Sequence, residues 1–425
     1  MRREGELGRI SALKGTKDCL PAQAYRWQYV EMEFREAARR FGFSEIRTPV
    51  IEYTELFARG IGDTTDVVEK QMYTFEDLGG RSITLRPEGT AGVCRAYLEN
   101  KLYAGVKPLK LWYEIACFRN EKPQAGRFRE FHQFGVEIFG SDDMLADAEV
   151  IAVADSFFRR LGISGLALKI NSIGCPVCRP VYRKMLMDYF EGRFDELCDT
   201  CKSRYGRNPM RILDCKSPIC QGIAAEAPVM MDSLCPGCEA DFASLKANLE
   251  SLGIAYETDV RIVRGLDYYT KTAFEFVSDM IGAQGAVCGG GRYGHLLKEL
   301  GGEDIPGVGF GLGIERLLLV LDASGVVIPE PAPPEAFIVY MGEAAKARAL
   351  TVLGGLREKG IAAEMDVCAR NVKNQFKCAD RSGARFAVVI GEDELKSGCA
   401  TVKDMSTGAQ KEYAFEEIAG AVSCV

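Results

Sequence analysis

Hydrophobic residues recur along this chain with two periods, and the switches between them outline the elements. Helical spacing runs from Pro21 through Trp27, Val30, Phe34, Ala37, Ala38 and Phe41 and stops at Gly42, so a helix with one buried face is expected. Residues 43–52 alternate like a strand. Pro49 has no N–H to give a ladder, which places that strand at a sheet edge or a subunit boundary. Residues 82–90 put Thr84, Arg86, Glu88 and Thr90 on one side, and helical spacing from Ala91 to Lys101 follows. These charges read either as solvated strand positions or as part of a convergent polar site. Met144 to Leu161 reads as another helix.

The chain is organised around Trp112 to Gly140, two strands joined by a basic loop. In the second strand His132, Phe134, Val136 and Ile138 fall on one face, and Gln133, Gly135 and Glu137 on the other. An amide and a carboxylate flanking a glycine leave room for a small polar ligand. Arg119, Lys122, Arg127 and Arg129 in the loop form an anion-binding set, so a polar molecule beside a phosphate is the expected ligand.

Further on, R-G-L-D-Y-Y (264–269) bunches charged and aromatic groups at the entrance of an alternating strand, and Gly289–Gly291 precede Arg292 and Tyr293. Residues 306–321 pass from a glycine-rich strand into an apolar helix carrying Glu315 and Arg316. This is neither the dinucleotide fingerprint nor a Walker loop, because no G-K-[ST] follows. Its glycines would let a ligand lie close to the sheet floor. The proline-dense 328–335 is a semi-rigid linker. Beyond it strands and helices alternate: 337–341, a helix to Lys359, a strand near Glu364, a helix from Asn371 to Arg381, then 387–391. That pattern predicts a small α/β domain with a mixed sheet. Lys373, Lys377, Arg381 and Arg385 make either a basic binding face or plain solvated charge.

Composition narrows the classes. At 425 residues, 47% hydrophobic and 27% charged, the chain can hold two or three globular domains. A net charge of -7 argues against coating nucleic acid through a global positive field, though a local basic patch is compatible. The chain has no long apolar run and no signal-like apolar core at its start, so no membrane partner and a cytoplasmic location are expected. Sixteen cysteines are then thiols or metal ligands. Half of them fall between 175 and 238, as Cys175/Cys178, Cys198/Cys201, Cys215/Cys220 and Cys235/Cys238. Close spacing lets a turn present two thiolates to a tetrahedral Zn²⁺, and eight suffice for up to two structural sites. Small buried thiols or a redox pair are the alternatives. Only two histidines are present, which excludes a His-rich catalytic metal site.

Taken together, these segments resemble a known family. G-F-S-E-I-R-T-P (42–49), F-R (118–119) with G-R-F-R-E-F-H-Q-F-G-V-E (126–137), and G-F-G-L-G-I-E-R (309–316) resemble the three motifs of class II aminoacyl-tRNA synthetases. L-R-P-E-G-T (85–90) and R-G-L-D-Y-Y (264–269) resemble the histidine-specific signatures, so the chain resembles the histidyl-tRNA synthetase family over essentially its whole length. Two departures are Lys122, where an arginine is common, and G-G-R-Y-G-H (290–295), which lacks the aspartate usual after the tyrosine.

The resemblance implies an α+β fold: a class II antiparallel sheet flanked by helices, with a helical Cys-rich insertion and a C-terminal α/β mixed-sheet domain. Residues 1–165 and 259–327 would form the catalytic domain, 166–258 the insertion, 328–335 the linker and 336–425 an anticodon-binding domain. It implies activation of L-histidine by ATP, with Mg²⁺ on the outer phosphates, and transfer to the 3′ end of tRNA(His) by a homodimer. Arg119 would hold the α-phosphate and the histidine carboxylate while Arg264 approaches from the other side, with Arg316 on the γ-phosphate and Arg127 nearby. Glu88, Gly89, Thr90 and Gln133 would surround the α-ammonium. Glu137 would accept from the imidazole N–H, Tyr269 would donate to its other nitrogen, and Tyr268 would line the pocket. Rival readings are the catalytically idle paralogue that regulates ATP phosphoribosyltransferase, and a non-catalytic RNA-binding or zinc scaffold.

Overall fold

Proline at its first position, where a missing N–H costs nothing, starts α1 (Pro21–Arg40). Val30, Phe34, Ala37 and Ala38 are buried on one face, as their spacing predicts. The computed structural model describes residues 10–62, 65, 67–213, 215, 217–262 and 266–423, in two units, Met1–Ile328 and Pro329–Val425. After α1 the chain departs from the expected single strand over 43–52. It forms β1 (Ser44–Glu45) and β2 (Ile51–Tyr53), which belong to different sheets. Pro49 lies in the break, and Arg86 holds the bend by donating through Nη1 to the carbonyls of Thr48 at 2.7 Å and Pro49 at 3.2 Å. Its Nε donates to Ala116 O at 2.7 Å. Arg86 is therefore a structural clamp, neither a solvated charge nor a ligand group.

There follow α2 (Thr54–Ile61), β3 (Tyr73–Glu76), β4 (Ser82–Leu85) and α3 (Thr90–Glu99). Strands β2, β4 and β3 form an antiparallel three-stranded sheet. The alternation over 82–90 holds only to Leu85, because Glu88 turns the chain into α3. Next come β5 (Leu109–Phe118), β6 (Glu130–Phe139), α4 (Met144–Arg160) and β7 (Leu166–Ser172). The insertion contributes α5 (Cys178–Glu191), α6 (Asp199–Arg207) and α7 (Pro218–Ala225). The unit closes with α8 (Pro236–Ser251), β8 (Glu257–Thr258), β9 (Thr270–Ser278), β10 (Ala286–Tyr293), α9 (Leu296–Glu299), β11 (Gly307–Gly313) and α10 (Ile314–Ala323).

Eight strands form one sheet in the order β1-β5-β6-β11-β10-β9-β7-β8. All of its pairs are antiparallel except β1 with β5 and β7 with β8 at the two edges. One face packs on α1, α4, α8 and α10. Phe134, Val136 and Ile138 of β6 point into this core, where the Phe34 and Phe134 rings stack at 4.3 Å. Alternation then forces Gln133, Gly135 and Glu137 onto the opposite face.

The segment 166–258, expected as insertion, includes β7 and β8, which belong to the sheet, and α8, whose Phe242, Leu245 and Leu249 join the main core. Cysteine density marks where the insertion packs, not where the sheet ends. Between β7 and α8 no strand is present among the described residues, and a separate small core gathers Tyr182, Leu186, Phe190, Ile212 and Ile223 with the cysteines.

The second unit carries β12 (Ala336–Tyr340), α11 (Glu343–Glu358), β13 (Ala363–Met365), α12 (Val372–Ser382), β14 (Phe386–Ile390), α13 (Glu392–Ser397), β15 (Cys399–Asp404), β16 (Gln410–Ala414) and α14 (Ile418–Ser423). Its sheet runs β13-β12-β14-β15-β16. β12 is parallel to both β13 and β14, while β15 and β16 add antiparallel, so the sheet is mixed as the alternation implied. β12 and β14 are apolar runs covered on both faces. The polar edge strand β16 carries no such signal. Among the described residues no helix is long and apolar enough to cross a membrane.

Candidate active site and cysteine clusters

On the sheet face opposite the core lies a cavity of about 560 Å³. Glu88, Thr90, Tyr113, Gln133, Tyr268 and Tyr269 line one part of it, and Arg119, Arg127 and Arg316 another. Cavity and arginines therefore come together as the alternation and the basic loop required. Lys122 and Arg129 do not border it; Arg129 instead donates through Nε to the Glu121 carbonyl at 3.4 Å. Arg264 lies outside the described residues.

Glu137 is fully buried beneath this lining. Its Oε1 accepts from the hydroxyls of Thr90 at 2.8 Å and Tyr113 at 3.1 Å, and its Oε2 from that of Tyr293 at 2.5 Å. Burial pushes its pKa up to about 8 despite these donors. The sequence pattern does not separate Tyr113 and Tyr293 from core aromatics, and strand register is what ties them to the glycines around them. A Cβ at Gly135, directly across from Tyr113 in the β5–β6 pair, would lie 2.1 Å from that ring, and one at Gly89 would lie 2.4 Å from it. The space expected at Gly135 for a ligand is thus filled by Tyr113. Gly89, assigned to the amino-acid site, makes room for the same ring and does not line the cavity. Likewise a Cβ at Gly309, opposite Glu137, would lie 1.8 Å from its Oε2, and one at Gly307 would lie 2.2 Å from the Tyr293 ring. Gly289, Gly311 and Gly313 do border the cavity, as a ligand on the sheet floor requires.

Glu88 sits at the start of α3, where its two oxygens accept from the backbone N–H groups of Thr90 and Ala91, each at 2.7 Å. This is a helix N-terminus capped by a carboxylate, which fixes both oxygens in place. Burial raises the Glu88 pKa, and the two N–H groups oppose it. Gln133 Oε1 accepts from the Cys117 thiol at 3.3 Å. The nearly buried Tyr268 and Tyr269 rings lie 4.6 Å apart, and the Tyr269 carbonyl accepts from Arg179 of the insertion.

At the cationic end Arg119 donates through Nε to Pro87 O at 2.9 Å and lays its guanidinium over the Phe131 ring at 5.2 Å. Arg316 donates to Gly126 O at 3.2 Å and to Ala286 O at 2.6 Å. Burial, then the proximity of Arg127, lowers its pKa. Arg127 pairs with Glu121 at 3.1 Å and keeps a buried Nε with no hydrogen-bond partner. Three guanidinium groups anchored mostly by carbonyls, one with an unsatisfied donor, make an anion site.

The eight insertion cysteines sort into two groups, Cys175/Cys178/Cys235/Cys238 and Cys198/Cys201/Cys215/Cys220. Within each group the sulfurs lie within 4.8 Å of one another. The Cys198 thiol is lowered to about 7, first by the backbone N–H of Cys201. Sulfur donors in fours, partly or wholly buried, suit a soft tetrahedral ion.

A family model described as histidyl-tRNA synthetase matches residues 15–180 and 235–317, and one described as anticodon binding domain matches 335–424. The histidine–tRNA ligase of Acetivibrio thermocellus is 52% identical over 407 residues, covering 96% of this chain and 98% of its own. That of Caldanaerobacter subterraneus is 53% identical over 411 residues, covering 97% and 99%. Among solved structures, the apo histidyl-tRNA synthetase of S. aureus is 39% identical with a TM-score of 0.84, covering 98% of this chain and 100% of that one. A histidyl-tRNA synthetase from Nostoc, at 22% identity and TM-score 0.68, shares the fold. With its class II sheet, its two-ended cavity and these matches along nearly all of its length, the chain belongs to the histidyl-tRNA synthetase family.

Proposed function

We propose that this chain joins L-histidine to ATP, giving histidyl-adenylate and pyrophosphate, and then passes histidine to the 3′ end of tRNA(His). The observation that carries this is the single cavity with fixed acceptors at one end and three arginines at the other. A zwitterionic amino acid and a triphosphate need those two ends side by side. The chemical step brings the histidine carboxylate onto the α-phosphorus, two anions that repel. Arg119, at the cationic end, screens that repulsion, a task the sequence motif R-G-L-D-Y-Y assigns to Arg264 as well. Arg316 and Arg127 hold the outer phosphates bidentately, and their positions are already set when charge develops. Glu121 and Glu275 border the same cavity and supply hard oxygen donors for Mg²⁺, which neutralises phosphate charge when bound.

Amino-acid choice follows from donor matching. Glu88, Thr90 and Gln133 offer acceptors to the α-ammonium. Once ionised in the histidine complex, Glu137 has about four acceptor directions, of which the hydroxyls of Thr90, Tyr113 and Tyr293 occupy three, leaving one for an imidazole N–H. The Tyr269 hydroxyl donates to the bare imidazole nitrogen, beside Tyr268. A side chain lacking that donor–acceptor pair would leave buried polar groups unmatched, which alone rejects it by roughly 10⁴.

Lys373, Lys377, Arg381 and Arg385 are exposed on α12 and just after it, where they can meet tRNA phosphates. Val50, Ile51, Tyr53 and Phe75 leave an exposed apolar surface on the three-stranded sheet beside Pro49, which supports a homodimer. The cysteine groups hold structural Zn²⁺, and the cytoplasm is the site of action. Histidine-dependent exchange of pyrophosphate into ATP, run across a panel of amino acids, tests the reading. Exchange with histidine alone is expected. A folded chain that exchanges with none would be a non-catalytic relative.

A further inference from the structure

We infer that the insertion holds two Zn²⁺ ions and that these brace the loop Leu266–Tyr269 of the histidine pocket, the first through Arg179 and the second through Asn208. Only the link to histidine binding rests on the functional reading above.

Sulfur geometry fits a tetrahedral ion such as Zn²⁺. Cys175 and Cys178 are 3.7 Å apart, Cys175 and Cys235 3.9 Å, and Cys198 and Cys215 3.8 Å. A tetrahedron with Zn–S bonds of ~2.3 Å has edges of ~3.8 Å. A disulfide would need ~2.05 Å. The two groups also repeat one pattern of donors. In each, a sulfur accepts from the N–H two residues on: Val177 to Cys175 and Ser217 to Cys215, both at 3.4 Å. A second sulfur accepts across the group: Cys235 N–H to Cys178 at 3.1 Å and Cys198 N–H to Cys220 at 3.3 Å. Such N–H groups orient and stabilise thiolates on a metal.

Topology ties both groups to the pocket. The first joins points 60 residues apart, where the chain leaves β7 and where it returns through α8 to the main core. At that junction Gly174 O accepts from Lys271 N at 2.9 Å, and a Cβ on Gly174 would lie 2.7 Å from Cys178 Cβ. The residue after Cys178 is Arg179, whose guanidinium donates to the Tyr269 carbonyl. The second group lies wholly inside the stretch 181–234 that the family model leaves unmatched. It pins the start of α6, and just past that helix Asn208 donates to Asp267 at 3.3 Å. With a small core of its own and no described strand between β7 and α8, the insertion relies on thiolates and metal to keep Arg179 and Asn208 in register with the sheet.

Elemental analysis of the full chain, purified without chelator, is expected to give two zinc ions, falling to one in the double variant C198S/C220S. A content near zero, or an unchanged content in that variant, overturns the metal half. Hydrogen exchange of peptides covering 266–269 is expected to quicken on zinc removal and in Arg179→Ala, while β5 and β6 stay protected. Unchanged exchange in both overturns the bracing half, whatever the enzyme does. In pyrophosphate exchange, Arg179→Ala should raise the KM for histidine roughly tenfold with kcat and zinc content retained, and Arg179→Lys should recover part of it. An equal loss in kcat without a KM change counts against the link. A chain with two zinc ions that is inert toward every amino acid sinks the functional reading and leaves the metal sites standing.

Discussion

The proposed histidine pocket and the cysteine insertion adjoin in one unit, yet they are held by different means, and their glycines make the contrast plain. In the pocket, a Cβ at Gly89, Gly135, Gly307 or Gly309 would come within 2.4 Å of a neighbouring ring or carboxylate. In the insertion, a Cβ at Gly192, Gly206, Gly222 or Gly237 would meet nothing closer than 3.9 Å. Sheet backbones approach so closely that bare glycines act as sockets for Tyr113, Tyr293 and Glu137. Apart from Gly174 at its junction with the sheet, whose Cβ would lie 2.7 Å from Cys178 Cβ, the insertion leaves these glycines in open space and gathers sulfur instead. The pocket should therefore fail through packing and charge, and the insertion through loss of its ligands.

The largest effect belongs to the charge proposed to serve the chemistry. Arg119→Ala is expected to lower histidine-dependent pyrophosphate exchange on the order of 10³-fold, because it removes a preorganised donor where charge develops. A C198S/C220S variant, if folded, should lose far less. Equal losses, measured side by side on folded protein, would break the division between a catalytic sheet and a bracing insertion.

Next in size is a matched pair of glycine substitutions. Gly135→Ala drives a methyl group into the Tyr113 ring and should cost about 1–3 kcal/mol in denaturant unfolding, with a matching loss of histidine affinity. Gly222→Ala sits inside α7 with nothing within 4 Å, so it should be neutral or stabilise by about 0.5–1 kcal/mol. Similar costs for the two would show that the glycine contrast does not report how each region is held.

How much of this could be read beforehand differs between the regions for the same reason. The alternation in β6 assigned Gln133 and Glu137 to the open face, and the loop arginines Arg119 and Arg127 came with it. Tyr113 and Tyr293 were not legible, because an aromatic on a strand looks like core, and only register shows that the glycine opposite Tyr113 is its socket. Arg86 looked like a pocket charge, whereas the broken strand at Pro49 uses it as a clamp. In the insertion, cysteine spacing announced thiolate pairs but not their grouping. Cys175/Cys178 pair with Cys235/Cys238 only because the chain departs from β7 and returns at α8. The same alternation weakens at β7, so composition set the boundary at 166, several residues before the sheet ends.

The last effect, a shift in unfolding midpoint with pH, separates the regions by sign. Glu137 has a folded pKa near 8, raised by burial from an ordinary value near 4.5. Below about 4.5 it is protonated in both states and costs nothing. As the pH rises from there toward 8, the unfolded chain gives up the proton while the folded chain keeps it, so folding loses stability across that window and the full cost remains above it. The insertion runs the other way, since thiolates on a metal are protonated and released as the pH falls. Thermal unfolding followed from pH 5 to 9 should thus show the main sheet losing stability as pH rises, and Glu137→Gln should flatten that slope while abolishing selective use of histidine. Zinc release, read in the same samples, should increase toward pH 5 in both proteins. If Glu137→Gln leaves the slope intact, the carboxylate is not its source, the hydroxyls of Thr90, Tyr113 and Tyr293 outweigh its burial, and the pocket does not oppose the insertion in its response to pH.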